Sequence, residues 1–132
     1  MIYDIDKIDF MRFDKKKTIV LSIYDINAWW NNEKEIQEHM EFAKKKIEVY
    51  VNYILTGGAL EHFKLSKDKE YSYIIEFIPE PMQVPVPYVA MLDDYAAQIY
   101  QKFGNAIVLD IKAYKNGKGK KKSDFFKKLF GK

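Results

Sequence analysis

Between Asn32 and Gly57 the chain repeats apolar residues three or four apart: Ile36, Met40, Ala43, Ile47, Tyr50 with Val51, and Ile54. That period predicts one amphipathic helix of about six turns. Asn32 can cap its start, with Glu33, Glu35 and Glu38 placed to complement the positive end of the helix dipole. Gly57 and Gly58 mark its end, since glycine takes the left-handed conformation without steric cost. A helix this long with one apolar stripe must lie on something large, and the flanking sequence supplies strands.

Residues 5–13 and 18–24 alternate as a hairpin around the polar turn at residues 14–17. In the second of these, Ile19, Leu21 and Ile23 point one way while Thr18, Val20, Ser22 and Tyr24 point the other. Residues 71–78 read as a third strand. All four prolines, Pro79, Pro81, Pro85 and Pro87, follow at once. They are expected to stop that strand and to form a rigid, exposed crossover. Pro87 suits the first turn of a second helix, with Tyr88, Leu92, Tyr95, Ile99 and Phe103 as its stripe and Gly104 as its stop. Residues 106–114 form the last strand. The expected fold is α+β, a ββαβαβ two-layer sandwich with a four-stranded mixed sheet and two helices on one face. At 132 residues, 48% hydrophobic, this is one domain's worth of chain. Residues 1–114 are expected to form that domain and residues 115–132 a basic tail.

Both helices on one face leave the other face of the sheet uncovered. It would present Val20, Tyr24, Ile74, Ile78, Val108 and Tyr114 among polar neighbours, which is apolar for a solvent-facing surface. Tyr24, Ile74 and Val108 are therefore candidate partner-binding residues, and a homodimer is expected, the alternative being that the tail or the first segment folds back over the face. In the loop after the second strand, Trp29 and Trp30 point in opposite directions if extended. One ring can plug the core while the other serves as an aromatic anchor.

The charge is segregated. Eight lysines against Asp124 give residues 115–132 a net +7, so the whole chain's +3 leaves the first 114 residues at −4. After the basic run NGKGKKK, Phe125, Phe126, Leu129 and Phe130 recur at helical spacing, with Lys127 and Lys128 on the other side. Such a segment can lie on an anionic membrane surface or dock in a protein groove, and the tail can equally be a solubilising one. With Arg12 as its single arginine, the chain lacks the residue that reads base edges, so no sequence-specific nucleic-acid binding is expected. Non-specific binding through the lysines is the weaker option.

No cysteine is present, which excludes disulfide scaffolds, thiolate metal sites and cysteine nucleophiles. No stretch approaches the ~20 apolar residues that span a bilayer, and the N-terminus does not read as a signal peptide. The expected location is cytoplasmic, at most peripheral on the inner membrane face.

Catalytic signals are sparse. No phosphate loop, HExxH or nucleophile elbow occurs. His39, beside the apolar stripe of the long helix, reads as a packed, hydrogen-bonded histidine, and His62 as a loop residue. Asp93 and Asp94 are adjacent, so on a helix they diverge and cannot work as a carboxylate pair. No catalytic residue, cofactor or metal site is assigned.

The run DINAWW, then a helix containing HMEFAKKKIEVYVNYI closed by TGG, resembles a small bacterial family known only as a domain of unknown function. Asp25, Trp29, His39, Lys46, Tyr50 and Gly57 fit that family's pattern; Ile26 stands where it has a His, and Thr56 where it has a Ser. The resemblance implies a fold and no chemistry. Two functions follow: a non-catalytic interaction protein, of which a toxin-neutralising immunity protein is one form, or a small enzyme or ligand-binding protein using Asp25, Trp29 and His39.

Overall fold

The computed structural model describes residues 4, 7–14, 17–26, 32–67, 69–80, 83–112 and 114–115. The elements run β1 (Phe10–Asp14), β2 (Thr18–Ile26), α1 (Glu33–Leu55), α2 (Gly58–His62), β3 (Ser72–Glu80), β4 (Gln83–Val84), α3 (Val86–Phe103), β5 (Ile107–Ile111) and β6 (Tyr114–Lys115). The main sheet has the order β1-β2-β3-β5, with β1 antiparallel to β2 and the other pairs parallel. Each parallel step carries a helix, β2–α1–β3 and β3–α3–β5. Two successive crossovers of one hand that add strands in one direction put both helices on the same face. The expected α+β sandwich is therefore the observed one.

Its core is the odd-numbered face of the strands. Ile19, Leu21, Ile23, Ile75 and Phe77 are fully buried, with Ile107, Leu109 and Ile111 nearly so, against Ala43, Ile47 and Tyr50 of α1 and Tyr88 and Leu92 of α3. Each such large side chain contributes about 1.5–3 kcal/mol over its exposed state. At the head of α1 the Asn32 side chain accepts a hydrogen bond from the Glu35 amide at 2.8 Å, as its position suggests.

Several expectations are corrected. β1 begins at Phe10: residues 7–9 ahead of it are not in a strand, with the Lys7 amide donating to the Asp4 carbonyl (3.1 Å), and residues 5 and 6 of the expected strand lie outside the described residues. Gly57 alone, at φ +84°, stops α1. Gly58 starts the short helix α2, where a Cβ would collide with the Tyr53 ring, so His62 lies on a helix with its ring edge-on to Phe63.

β3 continues through Pro79 to Glu80, paired with Asp25 and Ile26. The Tyr73 amide and the Phe77 carbonyl both bond toward β5, so odd-numbered residues of β3 address that side. The pairing with β5 ends at Phe77, and the donor that Pro79 lacks falls beyond it. The crossover is also not simply exposed: Pro79, Val84 and Pro85 are buried, and β4 pairs in parallel with β6. Trp29, Trp30 and the tail residues Phe125, Phe126, Lys127, Lys128, Leu129 and Phe130 lie outside the described residues.

Candidate functional site

In sheets with parallel strands, ligands usually bind beyond the carboxyl ends of the strands. Asp25, next to the last residue of β2, occupies that end and shares the helix-facing side with Ile19, Leu21 and Ile23. The second turn of α1 brings His39 to it, with Nδ1 3.2 Å from Oδ1 and 3.4 Å from Oδ2. From the first turn of α3 the Tyr88 hydroxyl donates to Oδ2 at 2.6 Å. Burial, the largest influence, raises the Asp25 carboxyl above its usual range, while Tyr88 and His39 pull the other way.

A carboxylate that orients a histidine is half of many acid–base sites. Here, however, Asp25 is 1% exposed, His39 2% and Tyr88 0%. The arrangement ties β2, α1 and α3 together and offers no solvent-facing atom to a substrate. His39 is thus placed as a packed, hydrogen-bonded histidine. It does meet Asp25, with Trp29 outside the described residues.

A second buried group lies two and three turns further along the same face of α1. Lys46, fully buried, donates to the Asp9 carboxylate (2.9 Å) and to the Asp4 carbonyl (2.5 Å). Asp9 also accepts from the Tyr24 amide at 3.0 Å. Burial alone would raise the Asp9 carboxyl; the Tyr24 amide and the Lys46 ammonium are among the groups that overcome this and hold it below its usual value. The Tyr50 hydroxyl accepts from the Asp9 amide (2.7 Å) and donates to the Ser22 carbonyl (2.6 Å), and burial holds the phenol protonated, well above its ordinary pKa. The segment before β1 is therefore fastened to α1 by polar side chains.

Sequence reasoning missed three of these participants. By sequence Tyr88 looks like one more member of an apolar stripe, Asp9 like part of an alternating strand, and Ser22 like an outward residue, although its carbonyl is what Tyr50 uses. The available signal was Lys46 itself, a charge between Ala43, Ile47 and Tyr50 on a helix face committed to the core.

The open face carries the other candidates. Cross-strand register sets Arg12, Val20, Ile74 and Val108 in one row and pairs Tyr24 with Ile78. Tyr24, Ile74, Ile78 and Val108 are half-buried. Val20, directly opposite Arg12, is only 4% exposed. Arg12 sends its guanidinium past it to Glu76 (3.0 and 3.4 Å), so its stem shields that valine. Glu76 also accepts from Ser22 Oγ at 3.1 Å, and Lys112 sits 2.7 Å from Asp110. Asp93 and Asp94 are exposed on α3.

A model of a family of unknown function, DUF6572, matches residues 1–112. The chain belongs to that family. The match spans the whole sandwich up to the end of β5 and includes both buried polar groups. No curated protein and no solved structure matches the chain. Among the described residues no group of three or more His, Asp or Glu side chains could hold a metal ion, and no helix is long and apolar enough to cross a membrane.

Proposed function

We propose that this DUF6572 member is a non-catalytic interaction protein that pairs with a second copy of itself across the open face of its sheet. One observation carries the reading: all helices pack on one face, while the other presents the half-buried Ile74 and Val108 in one row beside Tyr24 and Ile78, with Val20 shielded under the Arg12 stem. Two charge pairs on that face are matched internally, Arg12 with Glu76 and Lys112 with Asp110, so a second copy would meet an apolar strip flanked by neutralised pairs. The burial of Asp25 and His39 supports a role without chemistry. A two-fold pairing needs only this one self-complementary patch.

The test is Val108→Lys in the full chain, with sedimentation equilibrium as the readout and circular dichroism as the fold control. Val108 lies on the edge strand and is half-buried, so the fold should tolerate the lysine. Unmodified protein should sediment at twice 15.7 kDa at micromolar concentration. The variant should weaken the dimer by about 100-fold, since each interface then carries two desolvated lysines. A monomer at every concentration, or a dimer that Val108→Lys leaves unchanged, would refute the pairing.

A further inference from the structure

On the far side of the helix layer, α1 and α3 leave an open apolar groove of about 230 Å³. Ile47, Val51 and Leu55 form one wall and Tyr95, Ile99 and Phe103 the other. Leu55 is 59% exposed. An apolar cavity of about 150 Å³ accepts a benzene ring, so this groove has room for a phenylalanine side chain and part of a second.

Its charge is uneven. Glu48 borders it and accepts from the Tyr95 hydroxyl at 3.2 Å. Glu41 and Asp94 are close enough to act on that same hydroxyl. Both helices start at the carboxyl ends of the strands, so these acids mark the upper end of the groove, and the lower end runs down to Leu55 and Phe103, with Asn52 and Lys102 also lining it. Lys44 answers Glu41 at 3.4 Å and Lys102 lies over Phe103, which leaves Glu48 and Asp94 without a cation in any ion pair among the described residues.

We propose that this groove seats the chain's own C-terminal segment, with Phe125, Phe126, Leu129 and Phe130 in the lower part and the preceding lysines beside the acids. The connection fits. β6 pairs with β4, which immediately precedes α3, so Lys115 stands at the upper end. The ten residues from Lys115 to Phe125 reach up to about 33 Å. The whole of α3, 18 residues, is about 27 Å long. The order of the segment matches the groove as well: Lys118, Lys120, Lys121 and Lys122 come first, where the acids are, and the apolar residues follow. Docking at this site is independent of pairing through the sheet, because the groove lies on the opposite side of the molecule.

The absence of cysteine makes cross-linking clean. Two full-length double variants would be oxidised under the same conditions: Gln98→Cys with Ser123→Cys, placing one thiol in the groove wall, and Asp110→Cys with Ser123→Cys, placing it on the open sheet face. The first pair is expected to close within one chain about tenfold faster than the second, and adding Phe126→Asp should remove the difference. Equal rates, or disulfides formed only between chains, would overturn the proposal. Equal rates together with pelleting of the full chain on phosphatidylserine vesicles would place the segment at a membrane surface instead.

Discussion

Replacing Lys46 with methionine is expected to cost about 3–5 kcal/mol of unfolding free energy, a large part of the ~5–15 kcal/mol that holds a domain folded. Methionine fills most of the volume of the lysine stem, so the loss isolates the ammonium. That ammonium is fully buried against a carboxylate only 6% exposed, and removing it takes away one of the donors that stabilise the Asp9 charge, leaving the Tyr24 amide among the rest. A pH signature separates this from a packing defect. The Asp9 carboxyl titrates below its usual value in the folded chain, so its contribution is present above the unfolded pKa near 3.8 and is lost as pH falls through the folded value. Urea unfolding of the native sequence should therefore weaken between neutral pH and about pH 3. In Lys46→Met that acid-dependent loss should be visibly smaller. If the two proteins lost stability in parallel, the ammonium would not be what holds the Asp9 carboxyl down.

Asp25→Ala comes next in size, at about 3–4 kcal/mol, because one carboxylate serves the Tyr88 hydroxyl and the His39 ring in a site closed to water. Tyr88→Phe removes a single hydrogen bond and leaves the ring packed against Phe77, so it should cost about 1–3 kcal/mol. Denaturant midpoints of the two variants measure the difference. Equal losses would mean that the carboxylate matters only through Tyr88, and that His39 is held by packing.

These side chains show where sequence reasoning succeeds. The long helices were legible because their apolar period, the Asn32 cap and the Gly57 stop agree with one another, and the open sheet face followed from strict alternation in β2, β3 and β5. Pro79 misled because whether a proline breaks a strand depends on which neighbouring strand ends first, a property of the assembled sheet. Tyr88 misled because a phenol on an apolar stripe looks like a phenyl ring until something is placed at its hydroxyl. The meeting of Asp25 with His39 was partly visible in the motif that holds both, but their burial depends on α3, which is remote in sequence. Lys46 and Asp9 form the least legible pair, since 37 residues separate them and each alone resembles a surface charge.

The proposed role without chemistry rests on the burial of the Asp25–His39 pair, 1% and 2% exposed. Diethyl pyrocarbonate labelling of the folded full chain, read by mass spectrometry, tests it most directly. The chain has two histidines, and they differ sharply: His62 is exposed on α2, whereas His39 is 2% exposed beside Asp25. His62 should label in the folded protein and His39 only when denaturant unfolds the chain. Labelling of His39 at the rate of His62 in the folded protein would contradict the claim and return Asp25 and His39 to consideration as an active pair.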